Sequence, residues 1–203
     1  MNGGIEVVSA PFGGVKVETS AGTIAINGGG TPDEMARFYL AGDRPPAAIV
    51  LTTEHMHRSR GVEQFVEKHG IPLVGSLIAL AYLHLHTPER WEVLPPREIA
   101  IGGIMLEVFY VRYDSLDLFA LTVTAGGETV GIVPDGRLRE DDADALARLR
   151  SCRKLFLSNK LDCPSEMPRA LYLRYRNNYN TSRELAELFR DYAGELVVDP
   201  NCR

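Results

Sequence analysis

The stretch Ala47-Ala48-Ile49-Val50-Leu51-Thr52-Thr53-Glu54-His55-Met56-His57-Arg58-Ser59-Arg60-Gly61 runs from an unbroken apolar block straight into a dense polar one. An apolar run of this length, with no polar alternation, is expected of a strand covered on both faces. Arg44-Pro45-Pro46 before it is a rigid turn, and Val62, Phe65 and Val66 after it mark a helix closed by Lys68-His69-Gly70. A strand that ends in polar residues just before a helix is where layered α/β folds gather their ligands.

Working outward, the residues upstream predict short strands between glycine turns. These are Ile5–Ala10, Val15–Thr19 and Thr23–Asn27, an antiparallel meander stopped by Gly28-Gly29-Gly30. Thr31 is a candidate N-cap with Pro32 at the first helical position, and that helix runs to about Ala41-Gly42. Downstream, Ile71–Val74, Trp91–Leu94, Ile104–Val111, Phe119–Thr124, Val130–Val133, Leu155–Ser158 and Leu196–Val198 read as strands. Leu77–Leu85, Asp141–Arg150, Arg169–Arg176 and Arg183–Tyr192 read as helices. Strands with helices, then strands with helices again, predict one α/β domain over residues 1–203, with two sheets between helical layers.

Composition excludes several classes. The chain has 203 residues, 45% hydrophobic and 24% charged, enough for one full core. Twenty-two Lys and Arg against 27 Asp and Glu leave a formal charge of −5, which argues against bulk-charge binding of nucleic acid. No apolar run is long enough to span a bilayer and no basic-then-apolar leader opens the chain, so a cytoplasmic protein without membrane contact is expected. Cys152, Cys163 and Cys202 form no CxxC pair and are read as free thiols.

Four places offer chemistry. His55 and His57, two residues apart after a buried strand, are candidate metal ligands or plain loop histidines; His84 and His86 repeat the spacing at a leucine-rich helix end, where a structural role is expected. Asp135 in Val133-Pro134-Asp135-Gly136 is a ligand, a general base or a turn residue. Arg174-Tyr175-Arg176-Asn177-Asn178-Tyr179-Asn180-Thr181-Ser182 is a polar, aromatic, basic loop, able to cap the next helix or to hold anionic oxygens. Asp199 is a second carboxylate directly after a strand. Tyr172, Tyr175 and Tyr179 share one helical face, a packing or dimer surface if the helix continues, and with the nearby arginines they leave single-stranded nucleic acid as a minor alternative.

Taken in order over residues 5–200, these segments resemble the metallo-β-lactamase fold superfamily, and within it the ribonuclease Z and cyclic-phosphate phosphodiesterase branch. Ile24-Ala25-Ile26-Asn27-Gly28-Gly29 is similar to the family's strand-Asp-Gly-Gly turn, and Thr53 to Arg58 falls on its HxHxDH motif. Pro134-Asp135-Gly136 resembles its TDtG turn, Leu157 to Asp162 its lEsNhd segment, and Asn178 to Ser182 its GHLSN segment. The resemblance implies a four-layer αββα sandwich and a metal-dependent hydrolase of phosphate esters.

The departures weaken the second implication. The HxHxDH ligand positions read Thr53, His55, His57 and Arg58; a further histidine position reads Tyr113, the bridging carboxylate is Asp135, and the last histidine position reads Asp199. Five of these seven positions are changed, and the catalytic histidine of GHLSN becomes Tyr179. A guanidinium is permanently charged and cannot ligate a metal. Two expectations follow. In one, the dinuclear centre has decayed, Arg58 neutralises the acids around it, no cofactor is held, and the chain is a ligand-binding or interaction module. In the other, a rebuilt hydrolase holds a single Zn or Mn ion on His55, His57, Asp135 and Asp199. Asp135, Tyr179 and Tyr113 would then do the catalytic work, and Arg58, Arg174, Arg176 and Asn178 would hold the substrate. The expected partners are an anionic small molecule, a second protein, or a second copy of the chain.

Overall fold

A computed structural model describes residues 4–42, 44–83, 89–158, 161 and 168–199, with Met56 and His57 described by backbone only. The first half opens with a meander of β1 (Glu6–Ser9), β2 (Val15–Thr19) and β3 (Gly22–Ile26), all antiparallel. Helix α1 (Pro32–Tyr39) then leads to β4 (Ala48–Leu51), which pairs parallel to β3. A short helix α2 (Met56–Ser59), α3 (Val62–His69), β5 (Leu73–Gly75), α4 (Leu77–Ala81) and β6 (Arg90–Glu92) complete it, and the six strands lie in chain order.

The second half repeats the plan. Strands β7 (Arg97–Ile101), β8 (Ile104–Tyr110), β9 (Phe119–Ala125) and β10 (Glu128–Val133) form an antiparallel meander. Through α5 (Ala143–Arg150), β11 (Lys154–Ser158) joins β10 in parallel. Through α6 (Arg169–Asn178) and α7 (Ser182–Leu188), β12 (Glu195–Asp199) joins β11 in parallel. This second six-stranded sheet has the order β12-β11-β10-β9-β8-β7. No repeat is visible in the sequence, yet both halves are a meander continued by parallel strands.

Side-chain alternation sorts the layers. Ala48 and Val50 of β4 enter the cluster between the sheets, with Ile24 and Ile26 from β3 and Leu106, Val108, Leu121, Ile132 and Phe156 from the second sheet. Ile49 and Leu51 face the other way, onto Met35 and Tyr39 of α1, Val62, Phe65 and Val66 of α3, and Leu80 of α4. On the far side of the second sheet, Leu146 and Leu149 of α5 and Leu185 of α7 pack on Val133, Leu155 and Leu157. The result is helix, sheet, sheet, helix, with β4 buried on both faces as its composition demands.

Local chemistry fixes the element ends. Thr31 and Glu34 form a reciprocal capping box on α1, and Thr181 and Glu184 form another on α7. Gly70 closes α3 in the left-handed region at φ 63°. Strand β7 has no counterpart in the sequence reading: it is an edge strand with an Arg-Glu start, so its alternation is masked by charge. The Leu77–Leu85 helix stops at Ala81, and its end, with His84 and His86, lies outside the described residues. Cys163 and Cys202 lie outside them too, whereas Cys152 is a buried free thiol, pushed up to about 11 by burial first and then by Glu107. No helix among the described residues is long and apolar enough to cross a membrane.

Gly61 shows how tightly the loops at the strand ends are packed. Its N–H donates to the carbonyl of Gly28 at 3.2 Å, and a Cβ at this position would lie 2.1 Å from the carbonyl oxygen of Gly30. Backbone cannot yield as a side chain does, so Gly61→Ala costs about 1–3 kcal/mol of stability. Urea unfolding of the variant measures it, and an unchanged midpoint would show that the α3 entrance relaxes freely.

A candidate site built around a buried ion pair

The loops after β3, β4 and β10 meet at one edge of the sandwich. Asn27, held in the left-handed region at φ 60°, turns the chain after β3. Its Nδ2 donates to Thr52 Oγ1 and its Oδ1 accepts from the Thr52 N–H, both at 3.0 Å, which sets the path of the chain leaving β4. The Gly28 N–H then donates to the Arg58 carbonyl at 2.5 Å. These bonds aim the Arg58 side chain inward from α2, where it is 1% exposed.

Arg58 meets Asp135, which is fully buried at the end of β10. The contact is a fork: Nε donates to Oδ2 at 2.6 Å and Nη2 to Oδ1 at 2.7 Å. Nη2 also donates to the Pro134 carbonyl at 3.1 Å, and Nη1 donates to the Gly13 carbonyl from the β1–β2 loop. Burial alone would lower the pKa of the guanidinium, but the charge and hydrogen bonds of Asp135 outweigh it, and the net shift is upward.

Two tyrosines extend this contact outward. Tyr179, at the C-terminus of α6 and fully buried, donates its phenol proton to Asp135 Oδ1 at 2.5 Å. Tyr113, in the β8–β9 connection, lies 2.8 Å from the Tyr179 hydroxyl. Both phenols are shifted up, by burial first and by the negative charge of Asp135 second, so both stay protonated. The rings of Tyr113 and Tyr179 meet edge to face at 5.5 Å, Tyr175 meets Tyr179 at 5.2 Å, and the half-buried His55 ring lies 5.3 Å from that of Tyr113.

The structure thus brings Arg58, Asp135, Tyr179, Tyr113 and His55 together from four separate segments, His55 and Arg58 sharing one. It treats the other candidates differently. Asp199 Oδ2 accepts from Ser9 Oγ at 2.7 Å, tying β12 to β1. Arg174, expected to hold substrate, is half exposed and ion-paired with Asp114. Arg176 points to solvent, and its carbonyl accepts from Arg137. Asn178 is half buried at the last position of α6. Arg58 departs most from a substrate-binding role: four of its five N–H donors go to protein acceptors. Asn180 clasps Leu138 at both backbone groups, while Thr181 is the cap of α7. The His57 side chain and Asn159, Lys160 and Asp162 of the lEsNhd-like segment lie outside the described residues.

Sequence reasoning missed Gly13 and Pro134, because backbone acceptors carry no residue signature. It also missed Glu54, which accepts the Leu116 N–H at 3.0 Å and so holds the β8–β9 connection beside His55.

No protein-family model and no curated protein sequence matches the chain. Solved structures do. The metallo-β-lactamase fold protein YhfI from Bacillus subtilis superposes with a TM-score of 0.69 at 13% identity, over 92% of this chain and 77% of that one. A diphosphatase from the PhnP family gives 0.68 at 15% identity, over 92% and 71%. Zn(2+)-bound PqqB from Methylobacterium extorquens gives 0.65 at 14%, over 93% and 75%. The chain therefore has the metallo-β-lactamase fold, an α/β architecture with metal-dependent and hydrolytic proteins among its structural neighbours.

The described residues do not suit a metal centre of that kind. Among the described residues, no three His, Cys, Asp or Glu side chains converge as a ligand set. Both oxygens of Asp135 already accept charge-assisted or phenolic hydrogen bonds. A divalent cation on that carboxylate would face the Arg58 guanidinium at close range in a site of low dielectric, where like charges repel strongly.

Proposed function

We propose that this chain has exchanged the fold's metal centre for an internal ion pair. It works as a ligand-binding or interaction module, and does not cleave phosphodiesters by the metal-dependent route. One observation carries the reading: the forked, fully buried contact between Arg58 and Asp135, which sets a permanent cation against the carboxylate that the resemblance makes the bridging ligand. Tyr179 adds support, because its single phenol proton is given to Asp135 and is not available to a leaving group. The setting proposed is the reducing cytoplasm, consistent with Cys152 as a free buried thiol.

The test is turnover. Bis-p-nitrophenyl phosphate, a cyclic nucleotide and a short RNA are offered to the protein with added Mn or Zn, beside an Asp135→Ala control. The expected result is the same background rate for both proteins. Metal-dependent turnover that Asp135→Ala abolishes would establish the hydrolase with a single metal ion instead.

A further inference from the structure

The contacts of Arg58 and Asp135 reach further than one ion pair. The Arg58 guanidinium takes the Gly13 carbonyl from the β1–β2 loop, and its backbone carbonyl takes Gly28 from the loop after β3. Both loops belong to the first sheet. Asp135 and Pro134 stand at the end of β10 in the second sheet. Tyr179 adds the end of α6, and Tyr113 adds the β8–β9 connection.

Proton counting orders these bonds. Tyr179 has one phenol proton, and it goes to Asp135. Its oxygen can then only accept in the bond with Tyr113, so Tyr113 is the donor at 2.8 Å. Every donor in the chain Tyr113, Tyr179, Asp135 points inward, toward the carboxylate that Arg58 holds from the other side. In such a chain, each bond polarises the next.

We infer that Arg58, Asp135, Tyr179 and Tyr113 form one cooperative unit that ties the loop edges of the two sheets together without a metal ion. This extends the reading of the site given above. The changes at positions 58, 113 and 179 are then interdependent parts of one replacement. The guanidinium supplies the charge and two donors, and the Tyr179 phenol, itself held by Tyr113, supplies a further donor to the buried carboxylate.

A mutant cycle across the unit tests this. No hydrogen bond joins Arg58 to Tyr113, so independent roles predict additive effects. Arg58→Lys keeps the charge and loses the fork, and should lower Tm by about 5–10 °C. Tyr113→Phe should lower it by about 2–4 °C. The double variant should fall short of the sum by about 1–2 °C, roughly half of the Tyr113→Phe loss, because a slackened chain has less left to lose. Tyrosine Cζ resonances give a readout that simple destabilisation does not move: the Tyr179 signal should shift in folded Arg58→Lys, although Arg58 donates no hydrogen bond to Tyr179. Additive Tm losses with an unmoved Tyr179 resonance would overturn the inference. If Arg58→Lys does not fold, the Arg58 Nε–H resonance is followed in Tyr113→Phe; a shift supports the unit and a fixed signal refutes it. Additivity with an unmoved Tyr179 resonance in a metal-free protein would sink this inference alone, whereas metal-dependent turnover by the wild type would sink the proposed function.

Discussion

Arg58→Met is expected to lower the unfolding free energy by about 3–5 kcal/mol, the largest loss from any single substitution around the site. Methionine roughly fills the volume but strands the carboxylate of Asp135, which is fully buried, with only the phenol of Tyr179 among the bonds described above. The Gly13 and Pro134 carbonyls lose their donor in the same step. Removing one partner of a buried pair is costly because the other charge stays behind; removing both is far cheaper. Arg58→Met combined with Asp135→Leu should therefore regain much of the loss. Urea unfolding of the two single variants and the double variant checks this. A loss under about 1 kcal/mol for Arg58→Met would mean that water reaches Asp135 and that the pair is not sealed.

Alkaline unfolding is the second large effect. Tyr39, Tyr113 and Tyr179 are all shifted above the ordinary phenol value, in each case by burial first. Tyr39 also donates to the carbonyls of Ile26 and Asn27, at 3.1 and 2.9 Å, and so anchors the turn beside the site. The folded chain keeps these protons where the unfolded chain releases them. Above about pH 10 the unfolded state binds fewer protons, so stability falls as pH rises. The slope is about 1.4 kcal/mol per pH unit for each phenol, or about 4 kcal/mol per unit for the three together. Of the absorbance at 295 nm from all eight tyrosines, the share of these three should therefore change together with circular dichroism in one steep transition. Gradual ionisation of these tyrosines with unchanged dichroism would contradict their burial.

Much of the architecture is legible in the chain because burial leaves a pattern. The unbroken Ala47–Leu51 run announces a strand between two apolar layers, and the structure divides its residues between them. Thr31 with Glu34, and Gly70 after Lys68-His69, announce helix ends through the orphan backbone groups they satisfy. Strand β7 escapes because half of its exposed edge is charged.

The site is legible only as positions. Arg58, Tyr113, Asp135 and Tyr179 can be picked out one by one, but their mutual bonds depend on where two sheets bring distant loops. Asp199 illustrates the limit. A carboxylate after a strand reads the same whether it faces a ligand or, as here, the Ser9 hydroxyl across the sheet gap. Arg174 reads as an anion-binding residue until its neighbour Asp114 is found against it. The Gly13 carbonyl has no sequence signal at all, since every residue carries the same acceptor.

The proposed function requires a guanidinium in the place of a metal ion. Crystals grown without chelator and soaked in zinc, with diffraction collected on both sides of the zinc absorption edge, test it most directly. The account predicts no anomalous peak near the Asp135 carboxylate, with Arg58 still forked onto it. An anomalous peak joining His55 to Asp135, with Arg58 turned out into solvent, would contradict it.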